Sequence, residues 1–572
     1  MLSPHISAQQ DTTTYFFHTI EKGQSLYSIS GMYGVPETDI VRLNPGSEKT
    51  IYAGAKLRIP RQKQTTDLEN ERFHTIKAGE TLYGLTVQYG VTAKQIMEEN
   101  PGLSAQNFRI GEVIRIPAAE PIIVPEAAPI VEKPTVLTAC REMHKVKRRE
   151  TVKSISRAYG ITEQELVEAN PELKDRKPKR NEFLCIPHPK PKEPLRQPAR
   201  PIADEILFRD NEPPSRLIPT IKAAVILPFL SDNRNESAKM IEYYEGFLIA
   251  VDSLKKQGIS MDIYAYDSGK DAATLSKVLA KPELQQMNIL FGPAYDNQVP
   301  ILSDFVEQHR SRLVIPFVRG QEVYQNPYIY QVNTPHSYLY SEVYDHFVRL
   351  FPQANVILLD AEVAGNEEKA AFVTGLISEL QKYNIPVHTL KGAITPELIQ
   401  PYLRTDRENF FIPTSGSDAA LMKIIPQLQL LVRTVTDVRV HLFGYPEWQS
   451  YTNDFLESFF ELNTYFYSSF YTNNLLPSAV NFIADYHRWY SKEMTNVFPK
   501  YGMMGFDMGY FFLNGLARYG TGLEDNLSHL IMTPIQTGFK FERANNWGGF
   551  INRKVFFVHF TPEYQVMKME FE

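Results

Sequence analysis

Apolar and polar positions in the first third of the chain follow an order that repeats. From His18 to Pro60 a short alternating run over 17–20 predicts a strand, and Glu21-Lys22-Gly23 turns the chain. Ser25 stands where a helix N-cap belongs, and Leu26, Ile29, Ser30 and Tyr33 then share one helical face. Gly34 predicts the helix end, and Val35-Pro36-Glu37 starts a second helix with Ile40, Val41 and Leu43 on its apolar side. Asn44-Pro45 ends it, and Gly54 leads into a closing strand, Leu57-Arg58-Ile59-Pro60. The same order returns from His74 to Pro117 and, more weakly, from His144 to Pro187. Repetition of this kind predicts an array of small βααβ modules.

After about residue 220 the pattern changes to apolar runs alternating with amphipathic stretches. Strands are predicted at 223–229, 261–266, 289–291 and 313–317, with helices at 240–256, 271–279 and 298–309 between them. A second series follows, with strands at 354–359, 387–390, 410–413 and 438–444 and helices at 367–383 and from Asp418. Such alternation predicts parallel sheets covered by helices, and two consecutive series predict two lobes. The fold class expected is therefore a multidomain α/β chain, with three βααβ modules ahead of a two-lobed domain.

Composition narrows the function. A length of 572 residues with 43% hydrophobic positions suits several globular domains, and a net charge of −6 without a basic block argues against nucleic acid as a partner. No run of eighteen or more apolar residues is present, so no transmembrane segment is expected. Gly-x-Ser-x-Gly, His-Glu-x-x-His and P-loop patterns are missing, and the 13 histidines lack metal-ligand spacing. No catalytic residue, metal or cofactor is assigned.

The module motifs resemble the LysM domain: His-Thr-Ile at 18–20 and 74–76, Gly-x-[Ser/Thr]-Leu at 23–26 and 79–82, Tyr-Gly-Val at 33–35 and 89–91, and Asn-Pro at 44–45 and 100–101. The resemblance implies binding of N-acetylglucosamine-containing glycan, chiefly peptidoglycan or chitin, in a groove between two loops. Carried over, that groove is Lys22, Gly23, Gln24, Ser25 and Leu26 with Asn44, Pro45 and Ile51 in the first module. In the second it is Ala78, Gly79, Glu80, Thr81 and Leu82 with Asn100, Pro101, Gly102 and Leu103. The third module has Arg149 where the others have Gly23 and Gly79, which implies an altered or lost site. In LysM the first and last strands pair, which would bring Cys140 and Cys185 together for a disulfide in an oxidising compartment.

The second half resembles the type 1 periplasmic binding fold of branched-chain amino-acid receptors, through Val225-Ile226-Leu227-Pro228-Phe229, Asp267, Phe291-Gly292-Pro293, Ile315-Pro316-Phe317, the 442–448 stretch and Gly505-Phe506-Asp507-Met508-Gly509-Tyr510. A ligand cleft between lobes is implied, near Phe229, Ala294, Tyr295, Thr414, Ser415 and Phe470. The family's Ser/Thr run after Gly-Pro is replaced by Ala294-Tyr295-Asp296-Asn297, which argues against simple amino-acid recognition.

The expected division is a lead or signal remnant at 1–16, modules at 17–60, 73–117 and 140–187, linkers at 61–72, 118–139 and 188–219, and the two-lobed domain at 220–572. The proline-rich linkers predict semi-rigid spacers. Together these features imply a non-catalytic bacterial envelope or periplasmic protein that holds peptidoglycan and presents a domain for a small solute or a cell-wall synthesis protein. A LysM-anchored wall hydrolase is the alternative.

Overall fold

The computed structural model describes residues 15–21, 24–48, 51–60, 72–117, most of 142–186, 207–208, 215–334, 336–363, 369–472 and 476–571. The described residues form two compact units, 119–206 and the remainder.

In the first module β1 (Tyr15–Thr19) pairs antiparallel with β2 (Lys56–Pro60), Tyr15 opposite Pro60 and Thr19 opposite Lys56. Helices α1 (Leu26–Tyr33) and α2 (Glu37–Leu43) cover this ribbon. The Ser25 hydroxyl accepts from the Ser28 N–H, and the Ser28 hydroxyl answers the Ser25 N–H, so both ends of a capping box are made. Gly34 closes α1 at φ 63°, a left-handed position that suits glycine. Ile29, Ile40 and Ile59 are fully buried.

Two expectations shift. Ser30 is only half-buried, and Ser28 and Gly31 are buried instead. The cause is tertiary: a Cβ on Gly31 would lie 2.7 Å from the Tyr324 ring of the large domain, so α1 is pressed on two sides. In α2 only Ile40 is buried, while Val41 and Leu43 are half-buried, because a seven-residue helix turns one narrow face to so small a core.

The second module repeats the design with β3 (Arg72–Thr75), α3 (Leu82–Tyr89), α4 (Ala93–Glu99) and β4 (Val113–Ile116), the strands paired antiparallel. Its core of Ile76, Leu82, Leu85, Ile96, Leu103 and Ile114 also takes in Phe208, whose ring lies 5.9 Å from that of Phe108. The 188–219 segment is therefore more than a spacer at this point, because an aromatic ring gains by leaving water. Most of that segment, and all of 119–139, lies outside the described residues.

The unit 119–206 holds the third module: β5 (Glu142–Lys145) antiparallel to β6 (Phe183–Ile186), with α5 (Val152–Tyr159) and α6 (Glu163–Ala169) over Val146, Ile155, Leu166, Leu184 and Ile186.

The large domain has two seven-stranded sheets. The first contains β7 (Ile221–Leu227), β8 (Met261–Asp267), β9 (Ile289–Phe291), β10 (Arg312–Ile315), β11 (Ile329–Gln331), β17 (Phe541–Arg543) and β18 (Phe550–Asn552), in the order β17-β18-β11-β10-β9-β7-β8. The second contains β12 (Ala354–Asp360), β13 (Val387–Lys391), β14 (Glu408–Pro413), β15 (Arg439–Gly444), β16 (Thr464–Ser468), β19 (Phe556–Phe560) and β20 (Val566–Glu570), in the order β13-β12-β14-β15-β16-β19-β20. Pairs from β7 to β11 and from β12 to β16 are parallel, while β17–β18, β16–β19 and β19–β20 are antiparallel.

Two lobes are thus present, as the alternation predicts, but they are not consecutive in sequence. The chain crosses after β11, after β16 and again between β18 and β19. Helix Tyr501–Tyr519 comes back to pack along helix Arg234–Lys256 in the first lobe, and its glycines allow it: a Cβ on Gly505 would lie 1.9 Å from the Tyr243 carbonyl oxygen.

Candidate functional site

Each module carries one side-chain device that the motif reading passed over. The His18 Nδ1 lies 2.8 Å from the Tyr33 hydroxyl and its Nε2 lies 2.7 Å from Gln24 Oε1. His74 meets Tyr89 and Glu80 in the same way, at 2.8 and 2.7 Å, and His144 meets Tyr159 and Glu150 at 2.9 and 2.8 Å. The acceptor also takes a backbone N–H from the first loop, from Glu21, Lys77 or Lys147. The device pins that loop to the opening strand and to the first helix. Burial lowers the His18 pKa, against the Gln24 hydrogen bond. Burial works to raise the Glu80 carboxyl, but the Lys77 amide and His74 together hold it below the ordinary range. The signal was legible: His, then Gln or Glu six positions on, then Tyr fifteen positions on, in every copy.

The asparagine of Asn-Pro is a second pin. Asn100 Nδ2 donates to the Ile96 and Arg115 carbonyls, both at 2.7 Å, and its Oδ1 accepts from the Arg115 N–H at 2.8 Å. Asn44 and Asn170 do the same toward Arg58 and Cys185. These side chains tie the second helix to the closing strand, so the amide groups of Asn44 and Asn100, both expected among the sugar contacts, are already hydrogen-bonded within their modules. Leu82 and Leu103 are likewise buried in the module core, and Ser25 and Thr81 cap helices. Of the other expected groove residues, Gln24, Leu26 and Ile51 are half-buried and Pro45 is exposed in module one, and Ala78, Gly79 and Pro101 are exposed in module two. Lys22, Gly23 and Arg149 lie outside the described residues.

Gly102 is already engaged. Its N–H donates to the Asn546 carbonyl oxygen of the large domain at 2.7 Å, and a Cβ there would lie 2.8 Å from Arg543 Cδ. This contact belongs to a junction in which the loop 544–548 wedges between the first two modules. Trp547 is 1% exposed, with its ring centroid 5.3 Å from Phe73, 6.0 Å from Tyr33, and the Arg115 guanidinium 5.1 Å away. Asn546 Nδ2 donates to the Val113 carbonyl at 3.0 Å, and Gln325 Nε2 donates to the Gly31 and Met32 carbonyls at 2.6 and 2.8 Å. A cavity of about 140 Å³ remains at this junction, bounded by both modules and by 544–547. Burial raises the Glu21 and Glu112 carboxyls in its wall; the Glu112 charge adds to the rise at Glu21 and Arg553 opposes it, while a hydrogen bond with Asn546 and the charge of Arg109 oppose the rise at Glu112.

The positions expected to line a cleft in the large domain fall on both lobes. Phe229, Ala294 and Tyr295 are half-buried on the first, where Glu236 accepts the Ser231 hydroxyl and lies 3.4 Å from Lys270. On the second lobe Ser417 caps the helix Asp418–Thr434 and Thr414 donates its N–H to the Leu359 carbonyl, so the Thr-Ser-Gly-Ser run is a helix cap here. Sequence reasoning missed Lys369, buried, 2.8 Å from Glu447 and over the Tyr445 ring at 4.9 Å. Phe470 lies in the second crossing, bridged antiparallel to Thr537. The fully buried Asp507 carboxylate beside it accepts from the N–H groups of Ile535, Gln536 and Thr537 at 2.8, 2.8 and 2.7 Å, and burial pushes its pKa up to about 6.

Cys185 in β6 is disulfide-bonded, and Cys140 lies outside the described residues. Among the described residues no group of His, Cys, Asp and Glu is arranged to hold a metal, and no helix is long and apolar enough to cross a membrane.

The LysM domain family matches residues 18–60, 74–117 and 144–187. An autolysin of Enterococcus faecalis is 30% identical over 111 residues, 18% of this chain and 14% of that protein. The N-acetylmuramoyl-L-alanine amidase sle1 of Staphylococcus epidermidis is 25% identical over 164 residues, 28% of this chain and 47% of that one. The chain therefore spans less than half the length of either relative. A putative branched-chain amino acid ABC transporter from Rhodospirillum rubrum aligns over 61% of this chain and 100% of its own, at 11% identity and a TM-score of 0.44. An ABC transporter substrate-binding protein from Desulfitobacterium hafniense, in complex with Leu, gives the same coverage at 12% identity and 0.35.

Proposed function

We propose that this chain, three LysM domains followed by a two-lobed domain of type 1 periplasmic-binding-protein outline, holds N-acetylglucosamine-containing glycan of peptidoglycan and fixes its large domain there. The observation that carries the reading is the threefold LysM match over 131 residues at three sites with one repeated architecture. The glycan contacts are the residual groove: Gln24, Leu26, Pro45 and Ile51 in module one and Ala78, Gly79 and Pro101 in module two. Weak single sites in one chain gain strength by effective concentration. Modules one and two are packed on the large domain, so the chain presents that domain at a set distance from glycan. The large domain is a binding body, not an enzyme, and takes a small solute or a wall-synthesis protein in its cleft. The reading places the protein in the bacterial envelope.

Sedimentation of the intact chain with purified peptidoglycan, and its release by soluble N-acetylglucosamine oligomers, tests the tether. A chain that stays in the supernatant overturns it. The names of the two relatives favour a second reading, a wall hydrolase. Those relatives match through the LysM region alone. A lysis band in a peptidoglycan gel would establish the hydrolase and displace the binding reading.

A further inference from the structure

The cavity at the junction of modules one and two with the large domain shares Gln24 with the expected groove of module one, and none of its described lining residues belongs to the expected groove of module two or to the expected cleft. Its walls come from three separate stretches of sequence: the first strand and helix of module one, residues 110–113 of module two, and 544–547. Trp547 lines it, and its indole N–H is buried without an acceptor among the described residues. A buried donor left in this state costs on the order of 1–3 kcal/mol, so an acceptor placed there by a ligand gains by restoring it.

Two carboxylates, Glu21 and Glu112, stand in the same wall, and no lysine or arginine is among the described lining residues. The cations that reach them, Arg553 for Glu21 and Arg109 for Glu112, act from outside the wall, and Glu542 adds a further negative charge near Glu21. His18 offers nothing to a ligand, because Tyr33 and Gln24 take both ring nitrogens. Met32 and Val113 supply apolar surface.

We propose that this junction is a binding site for a small solute with a primary ammonium group beside an oxygen acceptor, the chemistry shared by amino sugars and free amino acids. The ammonium donates to Glu21 and Glu112, which have no cation beside them among the described residues of the wall. The neighbouring oxygen accepts from the Trp547 indole, and the carbon skeleton lies against Met32 and Val113. Binding bridges all three bodies at once, so it strengthens the docking of the modules on the large domain. The proposal goes beyond the tether and does not require it.

Titration calorimetry on the full chain tests it with D-glucosamine, N-acetyl-D-glucosamine and D-alanine. Glucosamine or D-alanine binds, and the two arms decide between the sugar and the amino-acid source. Acetylation of the amine weakens the sugar at least about tenfold, because an amide cannot pair with two carboxylates. Glu112→Gln and, separately, Trp547→Phe each weaken binding about fivefold or more, and Glu112→Gln serves alone if the Trp547 variant does not fold. Absence of binding by both amines overturns the proposal, as does N-acetyl sugar binding that equals that of glucosamine and is weakened to the same extent by Glu112→Gln; N-acetyl sugar binding that Glu112→Gln leaves unchanged belongs to the LysM grooves. Binding that Glu112→Gln leaves unchanged overturns it too, since that result locates the amine elsewhere, for instance in the cleft.

Discussion

The backbone N–H of Gly102 donates to the carbonyl oxygen of Asn546 at 2.7 Å, across 444 positions of sequence. It links a loop expected to hold sugar to a loop of the domain that the array carries. No room is left for a side chain, since an added Cβ would also sit 3.0 Å from the Asn546 oxygen. Gly102→Ala is expected to loosen module two from the large domain. Amide exchange should quicken in β4 and in 541–552 while the second lobe, 354–468, is unchanged. Exchange that stays slow at the junction would show that this contact does not hold it.

Glu80 invites a substitution that the chain has already made. Module one has Gln24 at the same station, with the same histidine and backbone partners. Glu80→Gln keeps the oxygen acceptor and is expected to cost less than about 1 kcal/mol at neutral pH, whereas Glu80→Ala leaves His74 and the Lys77 N–H without it and costs about 1–3 kcal/mol. The folded carboxyl titrates below its unfolded value, so its contribution is present above the ordinary carboxylate range and lost as pH falls through the folded value. Denaturant melts of the two variants at neutral and acid pH check both statements.

Asn100→Asp changes one atom and reverses the chemistry. The Nδ2 donor that serves the Ile96 and Arg115 carbonyls becomes an oxygen facing two oxygens, in a fully buried side chain. A loss of about 2–4 kcal/mol in the stability of module two is expected. An unchanged melting profile would show that the pin is dispensable.

Asp507 has a folded pKa of about 6, above its ordinary 3.8. A raised carboxyl contributes stability that is full below the unfolded value and lost as pH rises through the folded one. The advantage of the parent chain over Asp507→Asn should therefore shrink by roughly 3 kcal/mol between about pH 4 and about pH 7. A difference that is flat or grows over this range would show that the three amide donors outweigh burial.

Much of this was written in the sequence. The module helices, their Ser25 and Thr81 caps and the Gly34 and Gly90 ends are local features, set by residues a few positions apart, and they appear where the pattern predicts. The alternating runs of the large domain likewise located most of its parallel strands within two or three residues. The His–Gln/Glu–Tyr device was also local and repeated, and could have been read.

What the sequence could not decide is what each surface meets. Gly31 is buried because Tyr324 lies over it, and Phe208 leaves a proline-rich stretch to fill module two. Neither follows from periodicity. Helix Tyr501–Tyr519 and strands β17 and β18 return to the first lobe although the pattern alone reads as a second one. The sugar loops were placed by motif, but Asn44, Asn100 and Gly102 have their hydrogen bonds claimed by partners 14, 15 and 444 positions away. Hydrogen-bond capacity is fixed by residue type, and the sequence determines it. Which groups keep that capacity for a ligand depends on chain segments brought together only by the tertiary fold, and the cavity beside Trp547 exists only because three of them converge.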